Sequence, residues 1–145
     1  MIMRKIELSL LFLVLGVCAY GQTDEPIPFA TFSEIIVNLN FPLYRALKTD
    51  GGYVEIEGGV RGIIVYREDA TTFIAYERNC SYEAAEACAR VEPDLSRIFL
   101  IDRCCGSNFN FSDGYPTKGP ASRPLQKYRT QLSGTTLTIT DEIVF

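Results

Sequence analysis

Short apolar runs separated by glycine-rich turns predict a body built from short β-strands. Residues 35–39 are β-branched and apolar, residues 53–56 alternate, and residues 60–66 form the most apolar stretch of the body. The pairs Gly51-Gly52 and Gly58-Gly59 mark turns between them. Further strands are expected at 72–76, 98–101, 128–132 and 135–140. Many short strands with regular turns predict an all-β sandwich or small barrel.

Three segments do not follow the strand pattern. Residues 42–47 begin with Pro42 and are expected to form one helical turn. Residues 83–90 are rich in Ala and Glu, which predicts a short helix or helical loop. Residues 104–118 are rich in Gly, Ser, Asn and Asp and are expected to form a loop.

The N-terminus has the pattern of a secretory signal peptide over residues 1–21. Arg4 and Lys5 precede an apolar run at 8–17, and Ala19 and Gly21 supply the small residues of a cleavage site. The run is shorter than the roughly 20 residues that span a bilayer. The mature chain would therefore start at Gln22 without a transmembrane span, in the bacterial periplasm or cell envelope. The alternative is a lipoprotein signal that ends before Cys18, with Cys18 as the lipid anchor.

The body divides into an extended leader at 22–49, with one strand, and a domain at 50–145.

The composition of the chain excludes several classes of function. The chain has no His, so it has no Ser-His-Asp or Cys-His catalytic pair and no His metal ligand. Its net charge is −4, and it lacks the concentrated Lys and Arg that nucleic acid requires. No acid/base pair or other catalytic residue can be chosen from the sequence.

Four cysteines of the body fall in two loops, each directly after a predicted strand. Cys80 and Cys88 lie in the first loop, and Cys104 and Cys105 lie in the second. An even number of cysteines in an exported chain favours disulfides. Because adjacent cysteines rarely bond to each other, two of the three connectivities remain open.

The second cysteine loop and the segment after it carry a specific motif. The stretch from Gly119 to Tyr128 reads G-P-A-x-x-P-L-x-x-Y, and Gly106, Ser107 and Phe109 follow Cys105 in the second loop. Together with the two loops, this motif resembles the Rieske [2Fe-2S] family, whose pattern residues 119–128 match in full. The resemblance implies a Rieske-like β-sandwich or small barrel with a smaller subdomain, in which two loops bind the cluster. The function it implies is electron transfer.

The residues at the cluster-ligand positions depart from that family. A Rieske cluster takes two Cys and two His ligands. Carried over position by position, these ligands are Cys80, Tyr82, Asp102 and Cys105, of which only Cys80 keeps its identity. An ordinary [2Fe-2S] centre is therefore not expected. Ser107 matches a family Ser that hydrogen-bonds the cluster, and without a cluster it is expected to cap the loop backbone.

The resemblance also implies which cysteines pair. The disulfide between the family's loops maps to Cys88 and Cys104, which leaves Cys80 and Cys105 to form a second disulfide across the former cluster site. The leading hypothesis is an exported Rieske-fold protein without a cofactor, acting as a disulfide-stabilised binding or structural module. No protein or redox partner can be named.

Two further hypotheses stay open. The first is electron transfer through an atypical iron–sulfur centre held by Cys80, Tyr82, Asp102 and Cys105. A related alternative is that the four cysteine thiolates of the body bind zinc or an all-Cys cluster. The second is a thiol oxidoreductase that uses the Cys104-Cys105 pair.

Overall fold

The computed structural model describes residues 25–145, and in this range the regular secondary structure is almost entirely β-strand. The only helix described is a 3-10 helix at Pro42–Lys48, which confirms the helical turn predicted there. The strands are β1 Ile35–Asn38, β2 Tyr53–Ile56, β3 Ile63–Arg67, β4 Phe73–Glu77, β5 Val91–Pro93, β6 Phe99–Asp102, β7 Asn108–Asn110, β8 Pro116–Lys118, β9 Lys127–Ser133 and β10 Thr136–Val144. The prediction of an all-β fold is confirmed.

The strands form two antiparallel sheets. The larger sheet has six strands in the order β1-β10-β9-β4-β3-β2, and the smaller has four in the order β5-β6-β7-β8. The smaller sheet is inserted between β4 and β9, two strands that pair with each other in the larger sheet. Both cysteine loops therefore belong to this insertion or to its first connection.

Strand β3 is buried on both faces, which explains its unbroken apolar sequence. Ile63 and Val65 pack in one core, with residues of β1, β4, β9 and β10. Ile64 points the other way into a second core, together with Leu100 of β6 and Phe109 of β7. A strand covered on both sides reads as a continuous apolar run, whereas a half-exposed strand alternates. The second core joins the small sheet to the large one.

Two of the local predictions were wrong. Residues 83–90 form successive tight turns, with Glu86 N donating to Glu83 O at 2.9 Å and Ala89 N to Glu86 O at 3.0 Å. Helix propensity is a weak preference that tertiary context overrides. Here an antiparallel β-bridge between Asn79 and Arg90 pairs the two ends of the loop. The polar segment 104–118, expected to be a loop, contains β7 and β8. The signal peptide and Cys18 lie outside the described residues.

Among residues 25–145, no helix is long and apolar enough to cross a membrane.

A buried carboxylate fixes the glycine-rich turn between β2 and β3. Glu77 is fully buried, and it accepts hydrogen bonds from Val60 N at 2.7 Å, Arg61 N at 3.0 Å, Asn79 N at 2.9 Å and Tyr128 Oη at 2.6 Å. Four donors compensate the charge that the carboxylate carries into the interior. Glu77 thereby links the turn to β4 and β9.

Replacing Tyr128 with phenylalanine is expected to lower the free energy of unfolding by about 2 kcal/mol, because one charge-assisted hydrogen bond to buried Glu77 is lost. Urea unfolding followed by circular dichroism measures this change. Tyr66→Phe is the matched control, since the Tyr66 hydroxyl forms no hydrogen bond to the described residues. Equal losses in both variants would contradict the role given to the Tyr128–Glu77 bond.

Stability is expected to fall at alkaline pH. Burial raises the pKa of Tyr76 and of Tyr128, and the Glu77 carboxylate raises the Tyr128 pKa further. A raised folded-state pKa gives stability that is complete below the unfolded pKa of about 10 and is lost as pH rises beyond it, at about 1.4 kcal/mol per pH unit for each tyrosine. Unfolding measured at pH 9 and pH 11 should show a smaller loss in Tyr128→Phe than in the unaltered chain. Parallel losses would count against this assignment.

Candidate functional site

The first cysteine loop leaves β4 and places Cys80 in the interior. Cys80 is fully buried, and its backbone N donates to Ala89 O at 3.0 Å. The neighbouring Ser81 hydroxyl donates to Arg123 O at 2.6 Å. Bonds on both sides of Cys80 therefore fix its position, one within the loop and one to the segment that leads into β9.

The second loop is a tight turn that begins at Asp102, the last residue of β6. Gly106 N donates to Asp102 O at 2.8 Å, and Asp102 N donates to Ser107 O at 2.9 Å. The Asp102 side chain accepts a bond from Cys104 N at 2.7 Å. Gly106 has a φ of +77°, which a residue with a Cβ adopts only with strain. The turn thus directs a fully buried carboxylate towards the first loop.

One disulfide joins the two loops. Cys88 and Cys104 are bonded, with their Cα atoms 5.6 Å apart. This is the pairing that the family resemblance implied. Both residues are exposed, so the bond lies at the surface above the buried part of the site.

The second expected disulfide is not formed in the structure. Cys80 and Cys105 are both free thiols. The Cys105 thiol instead contacts Asp102 Oδ2, at 3.3 Å, and Ser107 Oγ, at 3.1 Å. The Cys80 sulfur also lies within 4.8 Å of an Asp102 carboxylate oxygen. The predicted disulfide is thus replaced in the structure by the approach of both sulfurs to the buried Asp102 carboxylate, which hydrogen-bonds Cys105.

Three of the four carried-over ligand positions meet in one group. The ligand atoms of Cys80, Asp102 and Cys105 all lie within 4.8 Å of one another. Tyr82 does not belong to this group. It is partly exposed and packs against the second core, and the neighbouring Glu83 carboxylate raises the pKa of its phenol.

The electrostatics of the group favour a protonated thiol at Cys80. Burial, followed by the hydrogen bond to Asp102, raises the pKa of Cys80. A cysteine that acts as a nucleophile needs a lowered pKa. Among the described residues, Asp102 forms no ion pair with Lys or Arg, so this carboxylate lies in the interior without a cationic partner.

Ser107 connects the group to the segment that carries the sequence match. Its hydroxyl is fully buried and accepts a bond from Ala121 N at 2.9 Å. The same oxygen lies 3.1 Å from the Cys105 sulfur. The Gly119-Pro120-Ala121 stretch is therefore held against the second loop through one hydroxyl.

A polar groove beside the disulfide was not predicted. It has a volume of about 510 Å³ and is lined by Glu55, Arg78, Cys88, Arg90, Glu92, Arg103 and Cys104. Arg78 is almost completely buried, donates to Val91 O at 3.1 Å and forms an ion pair with Glu55. These residues are far apart in sequence and share no motif, so only the folded chain brings them together.

Several solved structures are similar to this chain. A chain of the complex of reduced oxygenase and oxidized ferredoxin in carbazole 1,9a-dioxygenase superposes with a TM-score of 0.50 at 20% identity, covering 67% of this chain and 87% of that one. The TM-score of 0.50 shows a shared fold. The disulfide-linked loops after β4 and β6 have the arrangement that the sequence resemblance implied. The chain has a Rieske-like fold.

Two other Rieske-type neighbours are more distant. The cyanobacterial plasma membrane Rieske protein PetC3 from Synechocystis PCC 6803 gives a TM-score of 0.49 at 22% identity, covering 61% of this chain and 85% of its own. The ferredoxin of carbazole 1,9a-dioxygenase from Nocardioides aromaticivorans IC177 gives a TM-score of 0.44 at 16% identity, and the match covers 77% of this chain and 96% of the ferredoxin. No protein-family model matches the chain, and no curated protein matches it.

The residues of this Rieske-like site do not fit a Rieske cluster. Such a cluster needs two imidazoles on its second iron, and the chain contains none. The three donors gather around one point, and one of them is a carboxylate that already accepts bonds from Cys104 N and the Cys105 thiol. Its donor atoms therefore lack both the chemistry and the number that two irons require.

Proposed function

We propose that this chain is an exported Rieske-fold binding or structural module that carries no [2Fe-2S] cluster. The observation that carries the proposal is Asp102. It occupies a Cys ligand position, is fully buried and hydrogen-bonds within its own loop and to Cys105. In a fold of an electron-transfer type, the centre that would carry the electron is replaced by protein contacts.

The loops have other means of staying together without a cluster. The Cys88–Cys104 disulfide ties them at the surface. The Ser81 hydroxyl bonds the first loop to Arg123 O, and the Ser107 hydroxyl bonds the second loop to Ala121 N. These contacts supply much of the restraint that iron ligation would give.

Export and processing are part of the proposal. Residues 1–21 would be removed as a signal peptide, or cleavage before Cys18 would leave a lipid anchor in the cell envelope. The oxidising compartment that follows from export suits the Cys88–Cys104 disulfide. Residues 22–49 would form the leader and residues 50–145 the Rieske-like domain.

Electron transfer through an atypical centre is the second candidate, and the observation that favours it is the close approach of Cys80, Asp102 and Cys105. Tyr82 would have to turn inward to complete a set of four. A thiol oxidoreductase has less support, because Cys104 is bonded to Cys88 and the pKa of Cys80 is raised.

The intact mass of native, unreduced protein from a secreting bacterial host tests the proposal. We expect a chain that starts at Gln22, with one disulfide and two free thiols. Alkylation of the unfolded, unreduced chain should label Cys80 and Cys105 alone. A mass that includes two irons and two sulfides would contradict the proposal, and added acyl mass at Cys18 would identify the lipoprotein form.

A further inference from the structure

We propose that Cys80, Asp102 and Cys105 bind a single Zn²⁺ ion. The inference rests on the proposed function, since a two-iron cluster would use the same residues. The inference assigns a ligand to the module. The residues of the site do not suit a two-iron cluster, but they suit one thiophilic divalent ion.

The spacing of the donor atoms matches one ion. Zinc bonds to thiolate sulfur at about 2.3 Å and to carboxylate oxygen at about 2.0–2.2 Å, so ligand atoms around one tetrahedral ion lie about 3.5–3.8 Å apart. Here all three donors lie within 4.8 Å of one another, and Cys105 Sγ is 3.3 Å from Asp102 Oδ2. Shifts of about an ångström or less would bring the three onto one centre.

The charge of the site also favours a cation. Asp102 is fully buried, and none of the described Lys or Arg side chains pairs with it. A carboxylate in the interior is normally paired or coordinated to a metal. Zinc would supply the positive charge at the point where Cys80, Asp102 and Cys105 converge, and soft sulfur ligands select it over Mg²⁺ or Ca²⁺.

The neighbouring contacts hold the ligands in orientation. Cys104 N donates to Asp102 Oδ1, which leaves Oδ2 to accept from the Cys105 thiol. Ser107 Oγ lies beside the Cys105 sulfur and is itself fixed by Ala121 N. Such outer contacts orient metal ligands in proteins and raise metal affinity.

Three protein ligands leave one coordination position for water or a small anion. Cys80 and Asp102 are fully buried, whereas Cys105 is partly exposed. The open position would therefore lie on the Cys105 side, where the site reaches solvent.

Metal titration of the full mature chain, with its disulfide intact and freed of metal by a chelator, tests the proposal. Calorimetry with Zn²⁺ should give one ion per chain, and Co²⁺ as a probe should give thiolate-to-cobalt charge-transfer absorption. Bound Zn²⁺ should protect both free thiols from alkylation. Cys105→Ser and Asp102→Asn should each weaken binding by about 100-fold or more. Glu92→Gln, in the polar groove, should leave it unchanged.

The outcomes separate this inference from the proposed function. Iron and sulfide in the native protein would overturn both. A protein with neither iron nor sulfide that fails to bind Zn²⁺ would overturn the zinc site and leave the module without a cluster. Zinc binding that survives unchanged in both Cys105→Ser and Asp102→Asn would place the ion elsewhere and also overturn the inference.

Discussion

Replacing Gly59 with alanine is expected to lower the free energy of unfolding by about 4 kcal/mol. Gly59 has a φ of +61°, and a Cβ added there would lie 2.1 Å from Glu77 Oε2 and 2.6 Å from Tyr128 Oη. Backbone strain would contribute about 1 kcal/mol, and displacing the buried carboxylate from its donors about 3 kcal/mol more. The methyl group would enter the centre of the network that joins the turn to β4 and β9.

Gly134→Ala is the matched control for this prediction. Gly134 has a φ of +59°, and nothing lies within 4 Å of a Cβ added there. Both variants carry the same backbone strain, so the difference between their urea midpoints isolates the collision with Glu77. Equal losses of stability would show that the Glu77 and Tyr128 side chains can move away from the added methyl group at no cost, and would contradict the network described for them.

Removing the Cys88–Cys104 disulfide has the second largest expected effect. The bond closes a loop with a sequence separation of 16 residues, for which the chain-entropy model gives about 3 kcal/mol. Because both residues are exposed, the double substitution Cys88→Ser, Cys104→Ser should lose this restraint without leaving a core cavity. Urea unfolding of this variant and of the unaltered chain, both under non-reducing conditions, measures the loss of stability.

Cys105→Ser, measured with a chelator present so that no metal contributes to stability, serves as the control for the disulfide variant, since it removes a thiol of the same loop that forms no disulfide. It should change stability by less than about 1 kcal/mol, the worth of an ordinary hydrogen bond. If the double variant were as stable as the unaltered chain, the fold alone would hold the loops together and the stabilising role of the disulfide would be wrong.

The sequence pattern predicts most of the large sheet. Strands such as β3 and β10 are recognisable because apolar or alternating residues continue over their length, and because glycines mark the turns beside them. Strands β7 and β8 escape prediction. Each has three residues, and their polar segment is ordered by the pairing of β7 with β6 and of β8 with β7 rather than by its own composition.

The site is only partly predictable. Its two loops and the positions Cys80, Asp102 and Cys105 follow from the resemblance, because the motif fixes the spacing along the chain. Their contacts do not follow from it, since a buried carboxylate turned towards two thiols depends on the tight turn at Asp102–Ser107. Glu77 belongs to no motif, and its role depends on four donors that only the folded chain assembles.

Iron and acid-labile sulfide, measured together with the visible absorption spectrum of the native protein, test the central claim most directly. The protein should be produced in cells with active cluster assembly, with a Rieske ferredoxin from the same cells as the positive control. The account predicts a colourless protein with neither iron nor sulfide, while the control is coloured and contains both. A brown protein with two irons and two sulfides per chain would contradict it.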